Sequence, residues 1–208
     1  MVEDDRVIVV VEGPSAAGKT TWCRRRGIPI VEEYAPTGFE PNGSNLAAQA
    51  TYWTEVNCAR WAEARALEAS NPVVVCDSDP LKLHYSWCLG RAGAAPWERF
   101  KHELAEARRT FAADRLGFAD LIFAFIPSLA TLREHRDADP NRRRRSFELH
   151  AQLSDSLRQW YQALDVLEPG RVIWHLPEHG LPARMPRPRS HRSDPGRLDE
   201  FVALLPEP

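Results

Sequence analysis

With 208 residues the chain is long enough to bury one substantial core, and nothing in its length demands a second domain. Its 27 Lys and Arg against 29 Asp and Glu leave a net charge of −2, so the global basic field of a nucleic-acid-binding protein is absent and nucleic acid is an unfavoured partner. The four cysteines, Cys23, Cys58, Cys76 and Cys88, form no C-x-x-C pair and have no histidines at zinc-finger spacing, the start is acidic, and no run approaches the roughly 18 apolar residues of a membrane span, so the expectation is a reduced, cytoplasmic chain without a membrane partner.

The apolar run from Val7 to Val11 has the character of a fully buried strand, and it leads straight into VEGPSAAGKTT. The spacing there is G-x-x-x-x-G-K-[ST], with Gly13, Gly18, Lys19 and Thr20 placed between a strand and a helix, which is the context this motif requires. Glycine permits backbone angles that side chains forbid, so successive N–H groups across Ser15, Ala16, Ala17 and Gly18 can converge on an anion where the helix begins, with Thr21 in its first turn. Lys19 is placed to reach the β- and γ-phosphates of a nucleoside triphosphate and the Thr20 hydroxyl to ligate Mg²⁺, so ATP and Mg²⁺ are the implied cofactors. A plain turn with a solvated lysine explains neither the spacing nor the context.

The helix from about Lys19 is expected to stop at Gly27, and IPIVEEY then reads as a second strand ending in Glu32 and Glu33. After the turn-rich PTGFEPNGSN, Ser44 or Asn45 can cap a long helix reaching about Ser70, and PVVVCDSDP is a buried-type strand ending in Asp77 and Asp79. LKLHYSWCLG reads as a helix stopping at Gly90, and a further helix opens at Pro96 and stops at Gly117. DLIFAFIP is another strand, with Ser128 as a cap for a short helix beyond it, and from Phe147 the residues Leu153, Leu157, Trp160, Tyr161, Leu164 and Leu167 repeat at helical spacing before a fifth strand in RVIWHL. Residues 177–208 hold seven of the 17 prolines and read as irregular chain before a capped terminal helix. Alternating strands and helices predict one α/β domain over 1–208, its parallel sheet covered on both faces and its ligands at the strands' carboxyl ends.

Phosphoryl transfer needs a positioned metal ion, a group that orients or deprotonates the acceptor, and cations for the charge on the phosphoryl oxygens. Glu32, Glu33, Asp77 and Asp79 end two strands and face one crevice, but the sequence alone does not divide base from metal ligand among them. LREHRDADPNRRRR, about 133–146, carries Arg133, Arg136 and Arg142 to Arg145 around a turn, where guanidinium groups could close over a triphosphate as a lid; the rival readings are a solvated basic turn and an RNA-binding patch. Tyr52, Trp53, Trp61, Tyr85 and Trp87 lie on helices flanking the crevice; most belong to the core, and because Tyr52 and Trp53 face different directions at least one is a candidate to stack on a planar acceptor. His84 and His175 read as structural.

GPSAAGKTT, EEYA after the second strand, a helix carrying Gln49, and VVVCDSDPLKLHYSW together resemble small P-loop kinases, within them the domains similar to bacterial ribosylnicotinamide kinase and the nucleoside and nucleotide kinases. The resemblance spans most of residues 6–176 and implies a three-layer P-loop NTPase fold, with a mostly parallel sheet of about five strands flanked by helices, and an ATP- and Mg²⁺-dependent kinase of a small nucleoside-like or nucleotide acceptor. It implies that Glu33 and Asp77 sit near acceptor and metal, Asp77 with Thr20 as metal ligands, and that arginines such as Arg142 and Arg145 act from the lid; a homodimer is left open. The chain departs from the deoxynucleoside-kinase pattern where Glu-Arg-Ser is replaced by Asp77-Ser78-Asp79. Other readings are a kinase of an antibiotic or secondary metabolite, a nucleotide-binding regulator without transfer activity, and a regulatory GTPase. The last lacks N-K-x-D, and its one D-x-x-G match, Asp114 to Gly117, ends a helix.

Overall fold

The computed structural model describes residues 6–25, 27–139 and 146–207. Strand β1 (Val7–Glu12) is buried along its whole length, as an unbroken Val/Ile run in a central parallel strand requires. It pairs on one side with β3 (Val73–Asp77), Val11 opposite Asp77, and on the other with β4 (Leu121–Ala124), Glu12 opposite Ala124. The short strands β2 (Ile30–Val31) and β5 (Val172–Ile173) form the edges, giving the all-parallel order β2-β3-β1-β4-β5. This register brings the carboxyl ends of β1 and β3 to one level, so the loops that follow both strands share one crevice.

Eight helices fill the connections among the described residues: α1 (Lys19–Arg24), α2 (Leu46–Glu68), α3 (Leu83–Arg91), α4 (Trp97–Ala112), α5 (Leu129–Asp137), α6 (Phe147–Gln152), α7 (Ser154–Leu167) and α8 (Pro195–Ala203). Asn45 caps α2 by accepting from Ala48 N, Ser128 caps α5 by accepting from Thr131 N, and Asp194 caps α8 by accepting from Gly196 N. Two expected stops are displaced. Gly90 lies inside α3, where a Cβ would stand 2.5 Å from the Trp97 ring, and α4 ends at Ala112, well before Gly117, whose own Cβ would meet Arg192 O at 2.8 Å. Both glycines therefore serve close packing rather than termination. The pattern beginning at Phe147 is broken at Leu153 into α6 and α7.

Alternate residues of β1 face opposite sides of the sheet. Ile8 and Val10 enter the larger core beneath α2, α3, α4, α7 and α8. Val7, Val9 and Val11 face a smaller core built on Trp22 and Cys23 of α1 and closed by Leu176, Leu181 and Met185 from the proline-rich segment. That segment is irregular, as expected, yet it covers a sheet face. Its anchor is Asp120, which accepts from Ile8 N (2.8 Å), Arg189 N (2.9 Å) and Arg192 Nε (2.9 Å), while Arg192 also pairs with Glu68. No helix among the described residues is long and apolar enough to cross a membrane.

Candidate active site

Residues 12–22, which include every residue expected to hold phosphate, line a cavity of about 1200 Å³ over the carboxyl ends of β1 and β3. Gly13 has no room for a side chain, because a Cβ would stand 2.1 Å from Phe125 O, in a backbone that Phe125 N ties to Glu12 O at 2.8 Å. Ala16 (φ 69) and Gly18 (φ 90) take left-handed conformations, the backbone alternation that turns successive N–H groups to one side of a loop. The Lys19 ammonium donates to Gly13 O (2.7 Å) and Pro14 O (3.4 Å), so it lies across the loop it would serve. Thr20 is close enough to the Asp77 carboxyl to favour its charged form, against the burial that raises its pKa.

The four acids that the sequence left undivided go to four different places. Glu32 points outward, pairing with Arg24 at 3.2 Å. Glu33 lines the cavity and meets Lys82 Nζ at 3.4 Å; burial pushes its carboxyl up, but Lys82 and Lys19 outweigh that and hold it below its ordinary value. Asp77 is 1% exposed, its pKa raised by burial, and its Oδ1 has no hydrogen-bond partner among the described residues. Asp79 turns into the core, where its carboxylate accepts from Leu81 N (2.9 Å) and the Tyr161 hydroxyl (3.0 Å); burial, with Glu12 adding to it, pushes its pKa up to about 7.

Sequence reasoning missed the residue on which these groups converge. Glu12, the last residue of β1, accepts from Gly13 N (2.8 Å) through one oxygen and from Ser78 Oγ (3.0 Å) and Asp79 N (3.0 Å) through the other. Burial opposes its charge, yet Lys82, His84 and Lys19 hold its pKa far below the ordinary carboxylate range. The available signal was a lone acid ending a buried apolar run one residue before the first glycine. Arg60 of α2 was also missed: it donates to the carbonyls of Glu32 (3.0 Å), Asp77 (2.7 Å), Ser78 (2.8 Å) and Asp79 (3.2 Å), tying the ends of β2 and β3 together. His84 lines the same cavity: burial lowers its pKa to about 4, so it is neutral at pH 7 beside Glu12, and its buried Nδ1 has no hydrogen-bond partner among the described residues.

Beyond Glu33 the cavity runs between α2, α3, α4 and the α6–α7 pair. Trp53 lines it with a buried Nε1–H that has no hydrogen-bond partner among the described residues, whereas the Tyr52 hydroxyl pairs with that of Tyr34 at 2.7 Å; Trp61 and Trp87 belong to the core. Tyr85 also lines it, with Arg99 stacked 5.6 Å over its ring and His150 Nε2 3.3 Å from its hydroxyl. The pocket wall is thus aromatic with a few polar edges, which suits a planar acceptor.

Arg142 and Arg145, with Arg143 and Arg144, lie outside the described residues. The ends of that segment, Asp139 and Ser146, line the cavity. Its flanking helices rest on the phosphate loop: Leu132 and Phe147 pack against Ala17, and His135 Nδ1 donates to Ala16 O at 3.0 Å. Arg133 and Arg136 are engaged by Glu148 at 3.2 and 3.0 Å.

No protein-family model matches the chain, and no curated protein matches it by sequence. Solved structures do match it. Deoxyadenosine kinase from M. mycoides with bound dATP superposes with a TM-score of 0.56 at 14% identity, over 81% of this chain and 90% of that one. The same enzyme with the products dCMP and dCDP gives 0.54 at 14%, over 94% and 96%. The NadR protein in complex with NR gives 0.53 at 20% over 98% of this chain, which spans about half (53%) of that protein. At these identities the likeness concerns architecture, and with the five-stranded parallel sheet and its strand-loop-helix junction it leads to one conclusion: the chain has an α/β P-loop NTPase fold, the architecture that these structures share.

Proposed function

We propose that the chain is an ATP- and Mg²⁺-dependent phosphotransferase that moves the γ-phosphoryl group of ATP to a small nucleoside-like or nucleotide acceptor. One observation carries this reading: a single cavity is lined by the phosphate loop, by Glu33 and by the aromatic side chains of Trp53 and Tyr85. The loop's N–H groups and Lys19 bind and orient the triphosphate, Trp53 and Tyr85 hold a planar acceptor, and Glu33 accepts the proton of its hydroxyl as that oxygen bonds to phosphorus and ADP leaves. Mg²⁺ fits Thr20 and Asp77, since both offer hard oxygen donors and the buried Asp77 carboxylate has one oxygen without a partner among the described residues. When bound, that ion supplies positive charge at the phosphate oxygens. The segment of about 133–146, of which Asp139 and Ser146 line the cavity, is the proposed lid, contributing Arg142 and Arg145.

The test is ADP production from ATP and Mg²⁺ across a panel of nucleosides, nucleotides, and aminoglycoside- or nucleoside-type antibiotics, with Lys19→Ala as control. Stimulation by an acceptor of the nucleoside class, lost in the control, supports the reading. Stimulation by aminoglycosides alone moves the acceptor to another class, and tight nucleotide binding without stimulation by any acceptor makes the chain a regulator.

A further inference from the structure

We propose that Lys82 is a positioning residue of the transfer reaction, fixing the Glu33 carboxylate relative to the phosphate loop; the assignment rests on the kinase reading above. Lys82 stands at the start of α3, and its ammonium hydrogen-bonds Ser78 Oγ, lies 3.4 Å from Glu33 Oε1 and 3.5 Å from Glu12 Oε2. Ser78 Oγ in turn donates to Glu12 Oε2, and Glu12 Oε1 accepts from Gly13 N. An unbroken chain of polar contacts therefore joins the first glycine of the phosphate loop to the carboxylate that faces the acceptor.

Three features separate this role from simple neutralisation of a buried acid. Glu12 accepts three hydrogen bonds from Gly13 N, Ser78 Oγ and Asp79 N and also has His84 and Lys19 beside it, so Lys82 is one of several groups that hold its charge. Arg60 and Lys82 both line the cavity, but Arg60 donates to backbone carbonyls, whereas the Lys82 ammonium meets the side chains of Ser78, Glu12 and Glu33. Glu33, by contrast, follows the two-residue edge strand β2 with a side chain 37% exposed, and Lys82 is its ion-pair partner among the described residues. A carboxylate so loosely founded needs a tether to hold one orientation, and misplacement by about 1 Å can cost about 100-fold in rate.

The anchor of that tether is itself held under strain. Ser78 takes φ 74, a left-handed conformation that a non-glycine residue keeps only where its surroundings over-determine it. Here they do: Ser78 N donates to Val11 O (3.0 Å), Ser78 O accepts from Arg60, and Ser78 Oγ contacts both Glu12 and Lys82. The turn presents its hydroxyl to the lysine at the junction between the two halves of the site.

The experiment compares wild type with Lys82→Met, Lys82→Arg and the double variant Lys82→Met/Glu12→Gln, measuring thermal stability, affinity for a non-hydrolysable ATP analogue, and kcat and KM for the acceptor found by the panel. Lys82→Met is expected to lower kcat about 100-fold while ATP-analogue affinity stays within about threefold, because the phosphate loop keeps its own contacts. Lys82→Arg is expected to recover at least about tenfold of that loss, since a guanidinium can bridge the same carboxylates. The double variant removes the buried charge along with the lysine, so it carries the test even where the single variant folds poorly, and it is expected to stay slow. Transfer near the wild-type rate in Lys82→Met, or its recovery in the double variant, would overturn the assignment and leave the kinase reading standing; absence of acceptor-dependent transfer in the wild type would remove both.

Discussion

Replacing Asp79 with Asn tests how this fold uses buried acids. The Asp79 carboxyl is fully enclosed, and its pKa rises from the ordinary 3.8 to about 7 through burial and the nearby Glu12 charge. A carboxyl whose pKa is raised by folding is penalised when ionised, so its cost is absent below about pH 4, grows as pH rises, and is complete above about pH 7. Three pK units correspond to an upper bound of about 4 kcal/mol, of which about 3 develops between pH 5 and pH 8.5. His84 works the other way in part of this range: with a folded pKa of about 4 it withdraws stability as pH falls below its ordinary 6.5. The pH profile of the wild type alone therefore mixes two opposing slopes, and the difference between wild type and variant isolates Asp79. Asn can accept from Leu81 N through its carbonyl and donate to the Tyr161 hydroxyl through its amide, so both hydrogen bonds survive. Urea unfolding at a series of pH values is expected to show Asp79→Asn gaining on wild type as pH rises from 5 to 8.5. A stability difference that stays flat across that range would refute the reasoning.

Gly13→Ala drives a Cβ into Phe125 O, at 2.1 Å, and should cost at least about 1–3 kcal/mol together with nucleotide affinity, read by thermal unfolding and ATP-analogue titration; a variant that binds and melts like wild type would show that the junction yields freely. Asp77→Asn removes the carboxylate charge, so the Mg²⁺ concentration for half-maximal transfer should rise at least about tenfold; an unchanged requirement would place the metal elsewhere. Replacing Arg142 to Arg145 with Ala should lower transfer more than nucleotide binding in the open form, and equal losses in the two assays would count against a closing lid.

Much of the scaffold was legible because the signals were local. Val7 to Val11 could only be a central strand, G-x-x-x-x-G-K-T fixed the strand-loop-helix junction, and Asn45, Ser128 and Asp194 are side chains that cap helices by their own chemistry. The displaced stops had a non-local cause: Gly90 and Gly117 look like terminators, but each is glycine because a distant group, the Trp97 ring or the Arg192 carbonyl, occupies the space of a side chain. The division among Glu32, Glu33, Asp77 and Asp79 was hidden for the same reason. Adjacent residues at a strand end face different ways, and what each meets is supplied by α1, α2, α3 or α7. Glu12 was illegible because its partners come from a different strand-end loop and are mostly backbone groups.

The charges on this site bear on the proposed roles of the metal ion and the arginine-rich segment. Around the loop stand the carboxylates of Glu12, Glu33 and Asp77, against the ammonium groups of Lys19 and Lys82; Arg60 is committed to backbone carbonyls. Without a nucleotide the set is nearly balanced, with Lys19 resting on Gly13 O and Lys82 among Ser78, Glu12 and Glu33. A triphosphate brings about four negative charges into that space, more than Lys19 alone can offset once Lys82 is held by its acids. On the proposed kinase reading, the shortfall is the part assigned to a metal ion at Thr20 and Asp77 and to the guanidinium groups of Arg142 and Arg145, so removing either should weaken transfer more as the charge on the bound phosphates grows.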